Sequence, residues 1–201
     1  MKRTIWIPVA IGMVSAALIL AASEANFSIP LGNGSSIGIG ELFTTLSAAL
    51  GGPLASIVTI FAAYSIHGIF HPEFFPDMAP VYILLEDAIA HLCAMLVVAI
   101  GYHKFLSPWM RKTGIFLIGW FLLVGVYYYL ALLPLTVVFL KFIDPGQGVT
   151  YSVFARNFFP EFLGTATITT LMWFAAPIRY RHPQWIEPKD APNQSGKIQD
   201  K

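Results

Sequence analysis

Cysteine is almost absent from this 201-residue chain: Cys93 stands alone, so no disulfide can form within it and redox compartment is not encoded. Charge is scarce too. Asp, Glu, Lys and Arg make up 11% of the residues and nearly cancel to a net +1, which removes any nucleic-acid argument from bulk charge. There is no internal repeat, no extended low-complexity tract and no H-E-x-x-H helix. What fills the space is apolar. Hydrophobic residues reach 56% and mean hydropathy is +0.67, far above soluble-domain averages. The composition is that of a membrane protein.

Six apolar segments follow one another: Thr4–Ala22, Gly38–Leu50, Leu54–Phe70, Val81–Tyr102, Gly114–Leu140 and Asn157–Pro177. The second and third would be one run but for Gly51-Gly52-Pro53. Unbroken, a helix over 38–70 would reach roughly 48 Å against a hydrocarbon core of about 30 Å. Two glycines give the backbone freedom and the proline removes a donor, so a tight turn with Pro53 opening the next helix is expected. Charge supports that reading. Ten of the twelve basic residues (Lys2, Arg3, Lys104, Arg111, Lys112, Arg179, Arg181, Lys189, Lys197 and Lys201) fall on one side only if the break is a turn. By the positive-inside rule that side is cytoplasmic.

The expected fold is therefore an all-α integral membrane protein of six transmembrane helices, the short second span forming a hairpin with the third. Residues 1–178 make the membrane domain and 179–201 a disordered cytoplasmic tail, rich in polar residues and Pro. The protein is expected in the cytoplasmic (inner) membrane of a bacterium, with both termini on the cytoplasmic side. Trp6, Trp109, Trp173 and Trp185 are expected at the inner interface. Residues 1–25 also have the basic start, apolar core and small-residue end of a signal peptide, against which stands an uncleaved first span whose apolar stretch is long for that role.

An ionisable side chain in hydrocarbon costs at least about 2.5–3.5 kcal/mol, so each one inside a span is a functional candidate. Glu41, His67, Glu86, Asp87, His91 and Glu161 all fall in the outer halves of their spans. Glu86 to His91 lie about 9–17 Å below Pro80 at helical rise. These six are the expected ligand-binding residues of an outward-opening polar cavity. Gly38–Leu50 is about 20 Å as a helix, too short to cross, so Leu31–Gly40 is expected to dip into the membrane as irregular backbone against protein or a cavity.

Each candidate has a plainer alternative. Asp87 and His91, spaced i, i+4, could relay protons, bind metal or simply pair helices. His67 and His71 with Glu86, Asp87 and His91 hold enough imidazole and carboxylate for zinc, nickel or cobalt, leaving metal binding open. Arg156 and Glu161 could hold an anion, or Arg156 could reach the interface. Of Tyr127-Tyr128-Tyr129, at most one or two rings can face a cavity. Pro134 is expected to kink that span.

Ile37-Gly-Ile-Gly-Glu41, followed by Leu-Ser-Ala-Ala-Leu-Gly-Gly-Pro-Leu-Ala55, resembles the second and third spans of two bacterial membrane modules. One is the substrate-binding S component of energy-coupling-factor transporters, the other the multi-span sensor region of LytS-type histidine kinases. The resemblance covers about 37–105. Ser56-Ile-Val-Thr59 stands where both families tend to carry further glycines, and His67 where the sensor family often has Arg. It implies a module that binds a small-molecule ligand, without catalytic residues or a cofactor. Its partner would be a membrane coupling protein with ATPases, or alternatively a signalling kinase or cyclase. An S component would dock its partner through small residues of span one, either Ala17, Ala21 and Ala25 or Gly12 and Ala16. A third expectation is an intramembrane metal-dependent enzyme.

Overall fold

The computed structural model describes residues 3–25, 27–32, 35–65, 88–109, 113–143, 145–146 and 150–175. Helix α1 (Arg3–Glu24) leads into a small antiparallel hairpin, β1 (Ser28–Gly32) and β2 (Ser35–Gly38), with Ile29 opposite Ile37. Helix α2 (Ile39–Ile60) follows and widens into a π-helical turn at Phe61–Ser65. After residues 66–87, a helical stretch of residues 88–109 contains α3 (His91–Gly101). Then come α4 (Thr113–Val126), a π-helical turn over Tyr127–Leu132, α5 (Leu133–Ile143), the short α6 (Tyr151–Asn157) and α7 (Phe159–Ala175).

Among the described residues, four stretches are long and apolar enough to cross a membrane: Ile5–Glu24, Ile39–Tyr64, Ala88–Leu106 and Gly114–Ile143. This is a helical membrane protein. The all-α expectation needs one correction. Part of the stretch expected as irregular backbone forms the β1–β2 hairpin, in which each strand pairs the other along one edge.

Helix α2 folds back on itself at Gly52. Its φ of 68° and ψ of −163° lie in a region that is essentially glycine's alone. Gly51 beside it leaves room that a Cβ would lose to Ala55 and Ile11. The reversal is visible across the arms, where Ser47 Oγ and Thr59 Oγ1 are 2.8 Å apart. Twelve residues of continuous helix would separate them by about 18 Å. Phe43 likewise packs near Ala63, both in a small cluster with Ala16 and Ile19.

The contacts of α1 fix the directions of the two arms. Ile11 and Gly12 face Gly51, Ala55 and Val58, while Ile19 faces Gly40. The first arm therefore runs against α1 and the second along it. A Cβ on Gly12 would come within 2.8 Å of the Ala55 carbonyl oxygen and of Val58 Cβ, and Thr59 donates to the Gly12 carbonyl at 3.3 Å. Gly12 and Ala16 are thus spent on the chain's own hairpin and are not free for a partner, whereas Ala17, Ala21 and Ala25 face outward.

The bundle has two ends. The β-hairpin, Glu41, His91 and Glu161 mark one; Gly52, Tyr102 and the start of α4 mark the other. Between them α3 descends towards the turn end and α4 returns, with Gly101 against Leu123 and Gly119 against Leu106. Helix α7 descends again, its Thr165 bonded to Tyr128 and its Thr169 to Trp120. At the turn end Tyr102, Phe116, Trp120 and Trp173 form a ring cluster, with centroids 5.4–6.5 Å from Tyr102. Trp173, expected at the interface, is a core residue with 4% exposure. Its ring stacks on Phe116 at 5.9 Å. Trp6 is exposed on α1.

Candidate functional site

Glu41 opens the first arm of α2, one turn below Gly38, and its carboxylate is the centre of a buried polar network. His91 Nε2 lies 2.9 Å from Oε1, an ion pair when the ring is protonated and a hydrogen bond when it is neutral. Tyr127 donates its hydroxyl to Oε2 at 2.5 Å. Thr44 Oγ1 sits 3.2 Å from the same oxygen and 3.4 Å from the Tyr127 hydroxyl. The Glu41 and His91 side chains are 15% and 8% exposed. Each carboxylate oxygen therefore has a partner, as burial of a charge requires.

Local structure aims these groups. Tyr64 lies in the π-helical turn that ends the second arm, and its ring stacks on the His91 imidazole at 4.8 Å with a 26° tilt. Residues 88–90, just before His91, are also π-helical. Tyr127 begins the π-helical turn that precedes Pro134, closed by the Leu133 N–H reaching back five residues to the Tyr128 carbonyl. A proline cannot supply the N–H for residue 130 and crowds its carbonyl, which favours this wider turn. Three widened turns thus meet around one carboxylate, a feature common at functional sites. A fourth, Tyr102–Leu106, lies at the turn end, so widening alone does not mark the site.

Glu161, in the first turn of α7, completes the cluster from the side of the β-hairpin. Its carboxyl lies against Gly38, the end of β2 and the residue before the first turn of α2 that carries Glu41. A Cβ on Gly38 would sit 3.3 Å from Glu161 Oε1, so strand β2 and helix α7 meet closely over the network. Tyr128, fully buried, turns from Tyr127 to bond Thr165 at 3.0 Å.

Of the six residues expected to bind ligand, Glu41 and His91 are in direct contact and Glu161 is their neighbour. His67, Glu86 and Asp87, like His71, lie outside the described residues, as do Trp185 and the tail. Arg156 ends α6 exposed to the surroundings, and among the described residues no ion pair joins it to Glu161. Nor do the described residues contain a group of three or more His, Cys, Asp or Glu side chains able to hold a metal.

Sequence reasoning missed Tyr64 and Thr44 and left Tyr127 undivided from its neighbours. Thr44 has a local signal, standing one turn from Glu41. Tyr127 and Tyr128 are both buried and both bonded, while Tyr129 is half-buried, within the expectation that one or two of the rings turn inward. Chemically, the arrangement offers a carboxylate, an imidazole and a phenol in hydrogen-bond series. Such a set can hold or pass a proton, or exchange its internal partners for polar groups of a ligand. Comparison with family models, curated proteins and solved structures returns no match for this chain.

Proposed function

We propose that this protein is a six-span binding module of the bacterial cytoplasmic membrane that captures a small molecule from the outside. The six crossings are α1, the two arms of α2 with the residues that continue the second, the stretch containing α3, the α4–α5 helix, and α7. The turn end faces the cytoplasm, because Arg3 starts α1 there, Lys104 lies there, and the sequence places Arg111, Lys112 and the basic tail beyond helix ends on that side. The end carrying Glu41 then faces outward.

The Glu41–His91 pair carries the reading. Two ionisable groups at membrane depth, held by a phenol and a hydroxyl from other turns and helices, cost more than apolar packing would. Fold stability alone does not call for them. The ligand would enter beneath the β-hairpin and meet Glu41, His91 and Glu161, with His67, Glu86 and Asp87 supplied from the adjoining segment. In the manner of an S component, the module would hand its ligand to a coupling protein with ATPases. In the manner of a LytS-type sensor region, it would instead signal to a kinase or cyclase.

Native mass spectrometry of gently extracted protein tests the capture reading. A small molecule retained by the wild type is expected to be lost from Glu41→Gln and kept by Val14→Ala, exposed on the outer face of α1. Retention unchanged in Glu41→Gln would sink the site. Co-purification separates the two handovers: an ATPase with its coupling protein supports transport, a signalling enzyme supports sensing.

A further inference from the structure

From the turn end up to Val126, next to Tyr127, α3 and α4 leave a groove of about 330 Å³ along their outer side. Gly101, Phe105 and Leu106 line one wall, and Ile115, Leu122 and Val126 the other. Its lining is almost wholly apolar, and Phe105 and Leu122 are 65% and 66% exposed, so the groove opens sideways from the bundle.

Dimensions and charge say what covers it. From Ile115 to Val126 is eleven helical rises, about 16 Å, roughly half of a 30 Å hydrocarbon core. The groove is therefore one leaflet long. It starts at the turn end, where Lys104 is exposed and holds its ammonium 5.7 Å from the centroid of Phe105, a wall residue. The sequence adds Arg111 and Lys112 in the connection between the two walls. An apolar slot of leaflet length, with cations at its interfacial mouth, matches one molecule built the same way.

We propose that this groove binds an anionic phospholipid, one acyl chain lying between α3 and α4 and the phosphate held at Lys104. Basic residues at the cytoplasmic edge of a gap between membrane helices are suited to anionic headgroups. A lone lysine ammonium acts as a point charge, so its effect is on headgroup choice, while the slot fixes the chain. The mouth of the groove at Lys104 lies at the far end of the bundle from Glu41.

Native mass spectrometry of the full chain in micelles doped with matched-chain phosphatidylglycerol and phosphatidylcholine reads both halves of the proposal. The wild type is expected to retain phosphatidylglycerol in preference. Lys104→Gln should lower that preference about fivefold, the weight of one lysine at a membrane surface, and Lys104→Arg should restore it. Leu122→Trp fills the slot from an exposed position and should reduce retention of both lipids. Val14→Trp, exposed on α1 at 60%, should change neither. Equal retention of the two lipids by the wild type, or a preference indifferent to Lys104→Gln, overturns the headgroup assignment. Retention indifferent to Leu122→Trp overturns the groove and leaves only annular lipid.

Discussion

At the end of the bundle under the β-hairpin, helices meet over a carboxylate; at the turn end the same helices meet over aromatic rings. Seven residues of α4 and its π-helical turn, about 10 Å of rise, separate Trp120 from Tyr127. Trp120 sits among Tyr102, Phe116 and Trp173 with its indole N–H given to Thr169 at 3.0 Å. Tyr127 gives its hydroxyl to Glu41. The ring cluster gains dispersion and edge-to-face contacts from every member and has no charge to keep satisfied. The carboxylate network holds only while each partner stays in place. One end is built to stay shut, and the other holds groups that a ligand or proton can re-pair.

The sharpest way to break that comparison is to weaken the shut end and watch the other. Trp120→Ala removes a fully buried indole and leaves a cavity, a change worth about 4 kcal/mol. Unfolding in a denaturing-detergent titration should shift by that order, while retention of a small molecule at Glu41 in native mass spectra stays intact. Loss of retention at a denaturant level where the helices remain folded would show the two ends acting as one unit.

The converse change strikes the polar end. His91→Ala leaves the Glu41 carboxylate buried without its imidazole, and removing one member of a buried pair typically costs about 3 kcal/mol or more. The double variant Glu41→Gln/His91→Ala should be more stable than His91→Ala, because the uncompensated charge is gone. Simple additivity of the two substitutions in the same titration would mean that the pair is not coupled, and the contrast between the ends would fail.

A smaller effect is expected where the backbone of the turn end is changed and its ring cluster is left intact. Gly52→Ala forces a side chain into glycine's own region of backbone space, a strain of about 2 kcal/mol. Gly114→Ala, where a Cβ meets nothing within 4 Å, serves as its control and should be neutral or slightly stabilising. If both alanines behave alike, the reversal at Gly52 is not the hinge on which the arms depend.

The turn and the polar end were legible because each rests on a local rule. Gly-Gly-Pro breaks a helix wherever it stands, and a glutamate in an apolar run is conspicuous by its cost. Thr44 and Tyr64 were not legible for the opposite reason. Their roles arise from a carboxylate and an imidazole contributed by other segments, and a threonine or tyrosine in a span is unremarkable until that neighbour is known. The burial of Trp173 was not legible, because an indole near a span end can face lipid or the core, and only the rings of Tyr102 and Phe116 decide between them. The β-hairpin was hidden by Gly32, Asn33 and Gly34, which read as irregular backbone although they also suit a tight connection between strands.

The smallest expected effect tests the geometry on which the rest depends. Ser47 and Thr59 come within 2.8 Å only because the arms of α2 are antiparallel, and Thr59 also reaches the Gly12 carbonyl at 3.3 Å. Hydrogen bonds between membrane helices average about 0.6 kcal/mol when measured by double-mutant cycles. The cycle of Ser47→Ala and Thr59→Val should therefore give a coupling of that size, since each single change removes the same contact. A cycle of Ser47→Ala with Thr170→Val, whose hydroxyl bonds its own helix at Ala166, should give none. Equal coupling in both cycles would place Ser47 and Thr59 too far apart to bond and return α2 to a single straight span. The polar network would then lose its arrangement as well, because Glu41 and Tyr64 reach His91 from the two arms of one hairpin.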